Sequence, residues 1–167
     1  DHLEQAFDQG DVKEIRRELA ALEKAHPSDS RLQVARARLT AAQGDPEGAL
    51  GMLQRLVDDG DAGVLARAYL GALTVAKRQY AEGRRIVEQA LAEGADVPAA
   101  RHALGVAMAA AGADVVVNHP TAAEVDAAEQ VAQAVRAVGR RALVVCADVS
   151  DASAVEAMVA EALATFG

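Results

Sequence analysis

From Val12 to Ala25 the apolar residues Val12, Ile15, Leu19 and Leu22 recur at three- and four-residue spacing, the pattern of a helix that buries one face. The same phase returns 34 residues later and again after that. Ile15, Ala49 and Gly83 hold one position, Leu19, Leu53 and Val87 a second, and Leu22, Leu56 and Ala90 a third. Between helical patterns, Gly10-Asp11, Gly44-Asp45, Arg78-Gln79 and Gly112-Ala113 occupy equivalent turns. Leu70-Gly71 and Leu104-Gly105 coincide in the preceding helices, with Arg36-Ala37 in phase. The spacing predicts helical hairpins that must stack, because one hairpin cannot bury both its faces. Pro46 fits the first turn of a helix, and the small residues Ala37, Gly71 and Gly105 are expected to let paired helices approach closely.

After Gly112 the periodicity changes. Asp114-Val115-Val116-Val117-Asn118 and the run from Arg141 to Cys146 are short and β-branched, and their continuous apolar character predicts parallel strands. Between them Thr121, with Glu124 three residues on, predicts a capping box and a helix reaching Val138 before Gly139. A last helix is expected after Ser150 or Asp151, with Val155, Met158, Val159, Ala162 and Leu163 on one side. The chain thus reads as mainly α with a small α/β part, divided into residues 1–112 and 113–167. A helix from Pro98 to about Gly112 is shared by both.

With half of 167 residues apolar and almost no aromatics, small side chains must fill the core. The formal charge of −8 divides as −3 over residues 1–112 and −5 over residues 113–167, which opposes nucleic acid and anionic membranes. No apolar run approaches the roughly 20 residues of a membrane span. Cytoplasm is the default location. One cysteine excludes an internal disulfide, and Cys146, in a Val-Val-Cys-Ala run, reads as a small buried hydrophobe. His2, His26, His102 and His119 have no ligand-like spacing, so no metal or cofactor is expected; Asp58, Asp59 and Asp61 read as a solvated acidic turn.

The 34-residue period, with its Leu-Gly pairs, turn glycines and Pro27, resembles the tetratricopeptide repeat family over residues 1 to about 112. Aliphatic residues replace that family's large aromatics, and only Pro27 marks a hairpin end in phase. The resemblance implies an α-solenoid that binds an extended peptide or partner helix on a concave face made by the first helices of the hairpins. In phase, that face would present Arg31, Val34, Arg38, Ala41 and Ala42; then Leu65, Ala68, Ala72, Val75 and Ala76; then His102, Val106, Ala109 and Ala110. Arg31 and Arg38 are its only cations, so no basic clamp is recognisable. The same residues also read as the lining of a short solenoid that binds nothing specific.

From about Leu104 to Gly167, the stretches AAAGADVVVN, GRRALVVCADVSD and VEAMVAEALATFG resemble the central part of a short-chain dehydrogenase/reductase, a truncated Rossmann-like βαβα unit. That resemblance implies that Asp148 and Val149 flank an adenine, and that Asn118 and His119 lie at its ribose. The glycine-rich pyrophosphate turn has no counterpart: Gly94-Ala95-Asp96-Val97-Pro98 stands in its place. Nor has the family's Ser, Tyr and Lys set, so no hydride chemistry is assigned. Without a pyrophosphate site, Asp148 reads better as a turn residue and His119-Pro120 as a loop.

Two resemblances meeting in one Ala-rich helix point to a chimera, engineered or recombined. Its expected role is a non-catalytic scaffold with peptide or protein binding on the repeat face. The alternative is a fragment that retains NAD or NADP binding without catalytic residues. A two-stranded sheet leaves an edge, which is expected to pair with a second copy in a dimer or to be covered by the last helix and the neighbouring repeat.

Overall fold

A computed structural model describes residues 2–60 and 63–167. They form nine α-helices and one two-stranded parallel sheet. The order is α1 (His2–Gln9), α2 (Val12–Ala25), α3 (Ser30–Ala42), α4 (Pro46–Asp59), α5 (Gly63–Ala76), α6 (Tyr80–Ala92), α7 (Pro98–Ala110), β1 (Val115–His119), α8 (Val125–Ala137), β2 (Ala142–Cys146) and α9 (Ala152–Phe166). The chain divides into two compact units, Asp1–Arg101 and His102–Gly167, so the division falls inside α7. Among the described residues, no helix is long and apolar enough to cross a membrane.

In the first unit, the period of the sequence is also a period of the backbone. Asp11 N–H donates to Ala6 C=O, Asp45 to Thr40 and Gln79 to Thr74, at 3.1, 3.2 and 3.2 Å, each closing a helix with the same six-residue ring. The residue before each donor lies at positive φ: Gly10 at 66°, Gly44 at 90° and Arg78 at 64°. Arg78 thus adopts in one turn what glycine adopts in the others, a conformation disfavoured for a residue with a Cβ. Asp11 and Asp45 then cap the following helices, Asp11 accepting from Lys13 and Glu14 N–H, Asp45 from Gly48 N–H. These bonds satisfy donors that a helix start leaves unpaired.

From α1 to α6 each helix packs on its neighbours in the chain, and α3 also touches α5. Ile15 and Leu19 of α2 are buried with Leu3, Leu32 and Leu39. Leu53 of α4 is buried with Val34, Ala37, Ala66 and Leu70. At the α5–α6 contact, a Cβ on Gly71 would lie 2.9 Å from the backbone N of Val87, and one on Gly83 2.8 Å from that of Val75. Glycine is required at both. Gly105 differs: a Cβ there would meet nothing within 4 Å, contrary to the close approach expected. Its helix, α7, leads into a strand and not into the second helix of a hairpin.

In the second unit β1 and β2 are parallel, with Val115 beside Ala142 and His119 beside Cys146. α8 connects the strands and packs on both, burying Ala128, Ala132 and Val135. α9 returns along β2 with no fully buried residue; Val159 and Leu163 are exposed. The expected capping box does not form. Thr121 Oγ1 donates to the Glu124 carboxylate at 3.4 Å instead of accepting a backbone N–H, and a short 3-10 turn, Ala122–Glu124, precedes α8. Cys146 is exposed, not buried, because it ends a strand of a sheet with only two strands, too narrow to cover it.

Arg141 holds this small unit together. Its guanidinium donates to Asp114 at 2.5 and 2.9 Å, and to the C=O groups of Thr165 and Phe166 at 3.2 and 2.9 Å. The start of β1 and the last turn of α9 are thus tied by one side chain. Its positive charge also suits the carbonyl end of a helix. Arg140 and Arg141 together hold the Asp114 carboxyl below the usual carboxylate range, chiefly through the side-chain hydrogen bond from Arg141.

Candidate functional site: a groove in the first unit

The first unit contains a groove of about 380 Å³ lined by α1, α2, α3 and α5. Leu3, Leu22, Leu32 and Leu65 supply apolar wall; Glu4, His26, Asp29, Arg31 and Arg38 supply polar atoms. The hairpin turns place these side chains in register, and successive helices bring them to one side.

Arg38 is the centre of this groove. Its guanidinium stacks 3.7 Å from the Phe7 ring centroid and 4.6 Å from that of Tyr69, and donates to both Glu4 carboxylate oxygens at 2.6 and 3.0 Å. One side chain therefore ties α1, α3 and α5. The Arg38 side chain is only 17% exposed, whereas Glu4 is 53% exposed, so solvent still screens the pair from the carboxylate side. Burial pushes the Tyr69 hydroxyl above its usual pKa, the nearby Arg38 charge opposing part of that rise.

Arg31 is the more exposed cation. It donates through Nε and Nη2 to Asp29 at 2.9 and 2.7 Å, while the Asp29 carboxylate also accepts Arg31 N–H at the start of α3. Those bonds, the side-chain one foremost, lower the Asp29 pKa to about 2. Each groove cation thus carries its own carboxylate, and an incoming anion would have to displace one. This favours an apolar or mixed ligand over a strongly acidic one.

The residues expected on the peptide-binding face separate in three ways. Arg31, Val34, Arg38 and Leu65 all line the groove. Val34 and Ala68 are 1% and 0% exposed, so Val34 is floor and Ala68 is core. Ala72 is half-buried on α5. His102 and Val106 belong to the second unit, both half-buried. Burial pushes the His102 imidazole below its usual pKa. Repeat phase alone does not point to Glu4, Phe7 or Tyr69. Their trace in the sequence is that Glu4 and Arg38, of opposite charge, stand one 34-residue period apart.

At the C-terminal ends of the strands, Asn118 is exposed and His119 is buried. His119 Nδ1 bonds Thr121 C=O at 2.8 Å, and its own C=O accepts Ala147 N–H. Asp148 Oδ1 accepts from Ser150 Oγ and N–H at 2.7 and 2.9 Å, which lowers its pKa and directs it into its own turn. Val149 is 64% exposed. Asp58 and Asp59 end α4, whereas Asp61 lies outside the described residues. Among the described residues, no three His, Cys, Asp or Glu side chains converge as metal ligands would. Compared with family models, curated proteins and solved structures, the chain matches none.

Proposed function

We propose that residues 1 to about 112 are a short α-solenoid of tetratricopeptide type that binds an extended peptide or partner helix without catalysis. On this reading, the remainder is a Rossmann-like fragment, resembling a short-chain dehydrogenase/reductase, that serves as a structural appendage. The chain is then a chimera joined through α7. The supporting observation is that Arg31, Val34, Arg38 and Leu65, which repeat phase assigns to one face, line one groove with an apolar wall. A groove of this size takes a few side chains rather than a whole domain surface. Its paired cations favour a segment with apolar anchors, whose affinity comes from the partly exposed Leu22 and Leu65.

Peptide display against the full chain, followed by fluorescence anisotropy on the selected peptide, tests the proposal. Leu65→Glu should weaken binding about tenfold or more by placing a charge in the apolar wall, while Asp148→Asn should leave it unchanged. Failure to select any peptide, or binding indifferent to Leu65→Glu, contradicts the reading. Calorimetry with NAD, NADP and AMP addresses the alternative nucleotide role. Micromolar binding lost in Asp148→Asn would favour that alternative, against which the internal hydrogen bonds of Asp148 weigh.

A further inference from the structure

The free edge of β1 is self-complementary. Val115 N–H donates to Arg141 C=O and His119 C=O accepts Ala147 N–H, so residues 115, 117 and 119 turn their backbone groups toward β2. By the alternation of a parallel ladder, Asp114, Val116 and Asn118 turn theirs the other way. At Val116 and Asn118 these groups have no hydrogen-bond partner among the described residues. Val116 lies midway between the other two, so a two-fold axis through it would align Val116 with itself and Asp114 with Asn118 of another chain.

We infer that β1 pairs antiparallel with β1 of a second copy, in the single register centred on Val116, to make a four-stranded sheet ordered β2-β1-β1-β2. Charge complementarity selects this occupant. At the start of the strands, Arg140 and Arg141 surround Asp114 and leave a net positive end. At the other end stand Glu124, Asp148 and Asp151, with no arginine or lysine between residues 118 and 135 or between 147 and 167. Antiparallel pairing sets the positive end of each copy beside the negative end of the other; parallel pairing would set like beside like. One face of β1 carries Val115, Val117 and the buried His119, the other Val116 between Asp114 and the exposed Asn118, so the added strand must match an apolar face and a mixed one, as β1 itself does. Isologous pairing also closes after two copies, and each β1 edge is then used up.

Sedimentation equilibrium on the full chain from micromolar to millimolar concentration, with circular dichroism alongside, tests this inference. The wild-type chain should reach a dimer and no higher species. Val116→Pro deletes an N–H that β2 does not use, and an edge position tolerates it. It should keep the helical spectrum and raise the dimer dissociation constant about tenfold or more, through two lost hydrogen bonds. Val116→Lys, which sets two like charges opposite each other across the two-fold axis, should act in the same direction should the proline variant unfold. In a Cys146→Ser background, Val116→Cys should oxidise to a covalent dimer, because hydrogen-bonded antiparallel partners lie about 5.5 Å apart at Cα, within disulfide reach. Asn118→Cys should not, its copies being about 13 Å apart along the strands. A wild-type chain monomeric throughout, a dimer that survives Val116→Lys, or ready crosslinking through Asn118→Cys but not Val116→Cys would overturn the inference.

Discussion

The two units are held together by different physics. In the first, Ile15, Leu19, Leu53, Val34 and Val87 are below 2% exposed or close to it, and each helix is supported by the next. In the second, Val135 is the only comparably buried large side chain among the described residues, the strands are half-buried over most of their length, and α9 buries nothing fully. There the last helix is secured by one arginine. Apolar burial is distributed and hard to undo at a stroke; a polar tie is local, and one substitution or a change of acidity undoes it.

The sharpest way to break the contrast is Leu53→Ala. It should cost about 2–5 kcal/mol in the first unit, read from urea unfolding, while amide exchange in α8 stays unchanged. Gly71→Ala should come next at about 1–3 kcal/mol, because its Cβ meets Val87 backbone that cannot rotate away. Arg141→Gln in the second unit should leave the urea midpoint of the first unaltered and accelerate amide exchange in the last turn of α9.

Acidity should separate the units as well. The Asp114 pKa is depressed in the folded chain, so its contribution is fully present above the unfolded carboxylate value of about 3.9 and is lost as pH falls through the folded value. Exchange in the last turn of α9 should therefore rise below about pH 4 before that of α4. His102 acts closer to neutrality. Its folded pKa is also lowered, so the unfolded chain binds the proton first and stability declines as pH drops below about 6.5. His102→Gln should flatten that slope in stability measured between pH 7 and pH 5. The smallest effect is a gain: Arg78→Gly should raise stability by roughly 0.5–1 kcal/mol, by relieving a left-handed residue in a turn where glycine stands elsewhere.

Much of this architecture is legible in the sequence, and the reasons differ by element. The spacing of Val12, Ile15, Leu19 and Leu22 marks α2 to its ends, because a 3.6-residue period leaves little choice of partner face. The valine runs mark both strands to within a residue, and their parallel pairing is a consequence of the helix between them. Features that depend on a second chain segment escape. The types of Thr121 and Glu124 do not decide whether the hydroxyl bonds the carboxylate or a backbone N–H, and nothing local to Cys146 says that no third strand will lie beside β2. The groove is half legible: repeat phase brings Arg31, Val34, Arg38 and Leu65 together, but not that Glu4 neutralises Arg38 or that Phe7 and Tyr69 sandwich it.

The Glu4–Arg38 pair also bears on how the array could grow. Since the two residues sit one period apart, duplicating residues 10–43 would insert a second arginine at the same phase, and that arginine would look back at Arg38 rather than at an acid. A copied segment would therefore bring its guanidinium to one already paired with Glu4, and the tie between α1 and α3 would not be reproduced by duplication alone.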